Sequence, residues 1–172
     1  MLIWRGGICR AMKDEYISNL VDKYGNMILR LSYTYMKSMA DAEDVVQEVF
    51  LKIIDKESAF NDSEHEKSWI IRTTINICKN KLKSFWKKNI DSIDDIKEIS
   101  CFDSYTEESG VLKAVMALPE KYRIVIHLYY YEDYTTPEIA NLTGKNAVTV
   151  RSLLHRAREK LKIMLKEEYD FE

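Results

Sequence analysis

Chain breakers are scarce: 172 residues hold five glycines and two prolines. A sheet protein built on tight turns would need more. With 31% charged residues and long stretches rich in Leu, Ile, Lys and Glu, the composition predicts an all-α fold. No apolar run approaches the ~20 residues that cross a bilayer, which excludes an inserted membrane protein. The opening segment, Met1 to Met12, carries Arg5 and Arg10 but lacks a continuous apolar core and a small-residue cleavage site. It does not read as a signal peptide, and Met12 is a second candidate start. Cys9, Cys78 and Cys101 are odd in number and far apart, giving neither a disulfide framework nor metal spacing, and fit a reducing cytoplasm. His65, His127 and His155 are equally scattered and read as solvated or hydrogen-bonded histidines rather than ligands. Without a glycine-rich phosphate loop, a nucleophile elbow or paired acid and base, the sequence calls for no catalytic residue, no metal and no cofactor.

What is present is charge in blocks. The net charge of -2 argues against a nucleic-acid partner only if the charge is evenly spread. It is not. Between Lys67 and Lys88 lie Lys67, Arg72, Lys79, Lys81, Lys83, Lys87 and Lys88, with no acidic residue. From Asn89 to Ser109 the sign reverses, with Asp91, Asp94, Asp95, Glu98, Asp103, Glu107 and Glu108 against Lys97. From Lys145 to Lys162 it reverses again, with Lys145, Arg151, Arg156, Arg158, Lys160 and Lys162 against Glu159. A charge run by itself is a solvated surface. Helical periodicity sharpens the first block: Ile71, Ile75, Cys78, Leu82 and Phe85 form one core-facing stripe, while Arg72, Asn76, Lys79, Asn80, Lys83 and Lys87 share another face. That face offers cations for phosphates and amides for base edges. Trp69 reads as core, and Trp86 is open between core and base stacking.

The pattern predicts two small helical domains joined by an acidic linker. The first spans residues 13–88. Its first helix runs over 13–37 on Ile17, Leu20, Val21, Tyr24, Ile28, Leu31 and Tyr35, with Gly25 as a weak point. Its second follows a possible capping box at Ser38 and Asp41, and buries Ala42, Val45, Val46, Val49, Phe50 and Ile53. The basic helix, over 66–87, packs on both. Residues 89–109 form the linker. The second domain, 110–168, includes a helix starting at Pro119 with Tyr122, Val125, Ile126, Leu128 and Tyr129 on its apolar side.

A helix-turn-helix follows. Thr135 and Glu138 make a capping box around Pro137, Ile139, Ala140 and Leu142 give a buried side, and Gly144 stands where a turn needs positive φ. Asn146 caps the next helix, which buries Val150, Leu154, Ala157, Leu161 and Leu165 and turns Arg151, Ser152, His155, Arg156 and Arg158 outward. A short helix, a glycine turn and a longer basic helix form the geometry that enters a major groove.

These residues resemble the extracytoplasmic-function group of the bacterial sigma-70 family. In the second domain the resemblance lies in Leu118-Pro119-Glu120-Lys121-Tyr122-Arg123, Leu128-Tyr129-Tyr130, Glu138-Ile139-Ala140, Gly144, Thr149-Val150-Arg151-Ser152 and Leu154-His155-Arg156-Ala157-Arg158. In the first it lies in Ala42 through Phe50, then Phe60, Trp69 and Asn76. The resemblance implies an alternative-type sigma factor that binds core RNA polymerase and promoter DNA, restrained by an anti-sigma partner. Lys145, Asn146, Thr149, Arg151, Ser152, His155 and Arg156 would then meet the minus-thirty-five element. Arg72, Asn76, Lys79, Asn80 and Lys83 would meet the minus-ten element, and Asp44, Gln47 and Glu48 the polymerase. The acidic linker would thread towards the RNA exit path. Leu153 replaces a common arginine, and Lys145 a usual apolar residue. The competing reading is a stand-alone helix-turn-helix regulator, but no heptad run supplies its dimer surface.

Overall fold

The computed structural model describes residues 4–55, 60, 62–89 and 110–169, and the side chains of these apart from 4–14, 86–89 and 167–169. Seven helices occupy the described residues: α1 (Trp4–Met36), α2 (Met39–Ile54), α3 (Ser63–Asn89), α4 (Gly110–Ala117), α5 (Glu120–Tyr130), α6 (Thr136–Thr143) and α7 (Ala147–Tyr169). They form two small helical domains, α1–α3 and α4–α7, of which the second contains the helix-turn-helix.

Among the described residues, α2, α3, α6 and α7 begin where the sequence supplies a side-chain cap. The Ser38 hydroxyl accepts the Asp41 N–H at 3.3 Å and starts α2, so one half of the expected box forms. Between α1 and α2 the chain turns through Lys37 at φ 56°, a left-handed position that a non-glycine residue fills at some cost. Asp62 starts α3, its carboxylate accepting the His65 N–H at 2.7 Å. The helix therefore begins three residues before the expected Glu66, with Glu64 and Glu66 favourably placed in its first turn. Likewise α1 extends upstream of Lys13 to Trp4. Gly6 and Gly7 lower helix propensity there by about 1 kcal/mol each but do not forbid it.

The first bundle is built on Leu20, Tyr24, Ile28, Leu31 and Tyr35 of α1, Ala42, Val45, Val49, Phe50 and Ile53 of α2, and Ile70, Ile71, Ile75 and Cys78 of α3, all buried. Two expected core positions differ. Val21 is 44% exposed and lines an open groove between α1 and α2 with Asp22, Gly25, Val46 and Gln47. Phe85 is 47% exposed, and Leu82 before it on the same stripe is half-buried. Trp69 packs against the core as expected, with its ring 5.4 Å from Phe60. Glu66 ties α3 to α1. Although burial works against the charged form, hydrogen bonds from Lys23 (3.1 Å), Tyr24 (2.9 Å) and Tyr16 (3.0 Å) hold its carboxyl below the ordinary value.

In the second domain α5 is buried from Tyr122 through Leu128, including Arg123 and His127. Such all-round burial exceeds the one-sided stripe expected for it. One side meets α4, α6 and α7, and the other docks against α1. The apolar interior is therefore continuous across both domains.

Candidate nucleic-acid interface

The helix-turn-helix forms as local chemistry dictates. The Glu138 carboxylate accepts from the Thr135 backbone N–H at 2.8 Å, one half of a capping box whose other half is the Thr135 side chain facing the Glu138 backbone N–H, and it also accepts from the Thr135 hydroxyl at 2.6 Å. These two bonds, side chain first, lower the Glu138 pKa. Gly144 ends α6 at φ 70°, and the following N–H, of Lys145, returns to the carbonyl of Ala140 at 2.9 Å. Asn146 then starts α7, its Oδ1 accepting the Thr149 N–H at 2.7 Å. Val150, Leu154 and Ala157 are buried against the domain, each turn of α7 adding to its hold, at ~1.5–3 kcal/mol for a fully buried leucine. Leu161 and Leu165, expected to be buried, are half-buried.

With the inner face thus fixed, Lys145, Asn146, Thr149, Arg151, Ser152, His155 and Arg156 are all exposed. They lie along the turn and first two and a half turns of α7, the part that a groove-reading helix presents to bases. The Asn146 carbonyl oxygen is already committed to the cap. Arg158 differs from its neighbours: it donates to the Tyr130 hydroxyl at 2.9 Å and lies over the rings of Tyr129 and Tyr130. It braces α7 against α5. Leu153, where an arginine is common in the resembling family, is half-buried and packs against the core.

The cationic face of α3 is in a different state. Asn76, Asn80 and Lys83 are exposed. Arg72 and Lys79 stand on the edge of the face that borders α6. Arg72 is exposed but donates from Nη2 to Asn141 Oδ1 at 3.2 Å, and Lys79 is half-buried with Nζ donating to the Thr143 carbonyl at 3.1 Å. Loss of water, then the nearby charge of Lys145, lowers the Lys79 pKa. Lys87 and Trp86 have side chains outside the described residues, as do Cys9 and, in the linker, Cys101 and residues 90–109.

On α2, Asp44 and Gln47 are exposed and Glu48 half-buried, next to the groove along α1. Asp44 also faces α3, with Oδ2 3.8 Å from Lys81 Nζ. Among the described residues, no group of His, Cys, Asp and Glu side chains is arranged to hold a metal ion, and no helix is long and apolar enough to cross a membrane. Cys78 is a buried free thiol, its pKa pushed up to about 12 by burial.

Sequence reasoning gave Arg123 no role beyond its place in the resemblance, and of His127 it said only that it is solvated or hydrogen-bonded. Arg123 is 3% exposed, and its hydrogen bonds go to four carbonyl oxygens: Thr34 (2.6 Å) and Tyr35 (3.4 Å) at the end of α1, and Met116 (3.4 Å) and Leu118 (2.7 Å) at the end of α4. His127 Nδ1 lies 3.1 Å from Thr34 Oγ1. That hydroxyl donates to the Arg30 carbonyl at 2.8 Å, so the imidazole is the donor through Nδ1–H. Burial, with the charge of Arg30, lowers the His127 pKa to about 4.

Comparison with known proteins agrees with this geometry. The family model described as Sigma-70 region 2 matches residues 20–88, and that described as Sigma-70, region 4 matches residues 110–161. RNA polymerase sigma factor SigV of Bacillus subtilis is 32% identical over 145 residues, covering 81% of this chain and 84% of the relative. ECF RNA polymerase sigma factor SigW of the same organism is 26% identical over 174 residues, covering 90% and 91%. ECF RNA polymerase sigma-E factor of Escherichia coli is 30% identical over 156 residues, covering 81% of each. Among solved structures, the sigma factor RpoE of Bartonella quintana, crystallised with the anti-sigma factor NepR, superposes with a TM-score of 0.70 at 20% identity over 87% of this chain and 96% of that one. CnrH, solved with the cytosolic domain of CnrY, gives 0.60 at 18% identity over 90% of each. Those two likenesses speak for the fold. With both family regions in place and in order, the chain belongs to the extracytoplasmic-function group of the bacterial sigma-70 family.

Proposed function

We propose that this chain acts in the cytoplasm, without catalysis of its own, as an alternative sigma factor that carries core RNA polymerase to promoters and starts transcription there. Residues 13–88 hold polymerase and the minus-ten element, residues 89–109 link, and residues 110–168 read the minus-thirty-five element. Asp44, Gln47 and Glu48 on α2 face the polymerase. Arg72, Asn76, Lys79, Asn80 and Lys83 on α3 take the minus-ten DNA, and Lys145, Asn146, Thr149, Arg151, Ser152, His155 and Arg156 take the minus-thirty-five DNA. An anti-sigma protein restrains the chain until it is needed.

The observation that carries this reading is the pairing of an outward cationic face on α7 with a second on α3, beside an acidic α2 surface that is a poor partner for DNA. Two weak DNA sites act together only when a larger body holds them at fixed spacing. Purified chain with core polymerase should give promoter-specific run-off transcripts, and reversing charge with Asp44→Lys and Glu48→Lys should lower open-complex formation by at least about tenfold. Undiminished open complexes in that double variant would refute the polymerase assignment. A stand-alone regulator would bind its operator without polymerase and give no transcript.

A further inference from the structure

The outward face of α7 is not polar throughout. Val148, in its first turn, is 66% exposed, the most exposed large hydrophobic side chain among the described residues. Single apolar residues are common on protein surfaces. This one stands out by its place. It precedes the buried Val150 by two residues and so lies about 160° around the helix from it, on the side farthest from the core. Ser152 and His155, four and seven residues on and both exposed, continue the same outermost line. Arg151 lies to one side of that line, its Nε donating to the Ala147 carbonyl at 3.4 Å, and Thr149 and Arg156 lie to the other. The helix itself does not call for valine there, since β-branched residues are only fair helix formers and Asn146 already sets the start.

A helix laid in a major groove brings its outermost line to the base edges and its flanks to the two phosphate backbones. Arg151 and Arg156 thus stand on the backbone sides, and the line between them carries an imidazole, a hydroxyl and, at its leading end, two methyl groups. Glu159 lies farther along the same line, and its carboxylate would be repelled by phosphates, which confines the contact to the first turns of α7.

We propose that Val148 is a specificity-determining residue: its methyl groups pack on the 5-methyl group of one thymine in the minus-thirty-five element and select that base. This rests on the reading of α7 as the helix that meets this element. In the major groove thymine alone presents a methyl. Opposite cytosine or guanine the same side chain would displace water from the N4 amine, or from O6 and N7, and return no hydrogen bond. Loss of a phosphate contact weakens binding to all sequences alike, whereas loss of Val148 changes the preference at one position.

The test uses the full parent chain and a Val148→Ser chain, each selecting duplexes from a randomised DNA pool, once with core polymerase and once alone at low salt. Val148 is exposed, so the substitution leaves the core intact. The parent should enrich a sequence containing one thymine that the variant no longer prefers, with the other positions shared. Replacing that thymine by deoxyuridine, which removes only the methyl, should weaken parent binding about fourfold, the worth of one buried methylene, and leave the variant unaffected. Identical preferences in the two chains, no loss with deoxyuridine in the parent, or an equal loss in both overturns the proposal. If the free chain shows the thymine dependence but polymerase neither sharpens the selection nor gives run-off transcripts, the sigma-factor reading fails and the assignment of Val148 stands. A parent chain that enriches no sequence in either setting overturns both.

Discussion

At the turn and start of α7 the side chains of Lys145, Asn146, Thr149, Arg151, Ser152, His155 and Arg156 are exposed, whereas on α3 two of five comparable side chains already hold hydrogen bonds to another domain. The two faces have similar chemistry and differ in what lies across from them. Composition sets what a surface can bind; packing at long range sets whether it is available. The contacts that make this difference join residues 89 and 93 positions apart in the chain, Thr34 with Arg123 and with His127.

Removing the Arg123 seam that joins the ends of α1 and α4 should abolish the contrast. Arg123→Ala leaves buried carbonyls of two helix ends without their donor, and should lower unfolding free energy by about 3 kcal/mol, read as a fall in the urea midpoint. Protection of the α6 amides against hydrogen exchange should fall with it. Acidification should act on the same seam more gently. His127 is packed against Thr34 and Arg30 of α1, stacks on Tyr131, and has Glu132 Oε1 3.8 Å from Nε2, the Glu132 carboxylate itself being paired with Lys67. Its pKa is lowered from 6.5 to about 4 on burial, so the neutral ring favours the folded form fully above pH 6.5, and that contribution is lost as pH falls towards 4. By pH 5 the loss should reach about 2 kcal/mol. Urea titrations at pH 7.5 and pH 5 measure it, and a His127→Gln chain that loses as much stability over that interval would exclude His127 as the source.

Thr135→Ala attacks the covering element itself. Without the hydroxyl half of its capping box, α6 should lose about 1 kcal/mol, loosening the cover on Lys79 while leaving the outward side chains of α7 in place. Thermal denaturation reads the loss, and faster acetylation of Lys79 than of Lys83 relative to the parent chain reads the uncovering. The smallest effect lies away from both faces. Gly25 sits within α1 with helical neighbours, and an added methyl would meet only Val21 Cγ1 at an ordinary 3.8 Å. Gly25→Ala should therefore stabilise the chain by ~0.5–1 kcal/mol, seen as a raised melting temperature, and leave the contrast between the faces unchanged.

Much of this was legible in sequence wherever the cause is local. The box at Thr135 and Glu138, the left-handed Gly144 and the Asn146 cap depend on residues three or four apart, and each formed as expected. Periodicity placed Ile71, Ile75 and Cys78 inside for the same reason. It overreached at Phe85 and Val21, because a stripe shows which side of a helix is apolar but not how deeply each position is covered. The start of α3 at Asp62 was available as an acid two residues before Glu64, and the short α4 as the apolar run from Val111 to Met116. Arg123 and His127 offered no such signal. A lone arginine and a lone histidine within α5 acquire their roles only when α1 supplies the carbonyls and the hydroxyl they meet.

The length of α1 has a mechanical consequence. This one rod borders the α2 groove at Gly25 and supplies the Arg123 socket at Thr34 and Tyr35, roughly 14 Å farther along at the rise of an α-helix. The groove and the Arg123 socket are thus two stations on one continuous helix, with no loop between them.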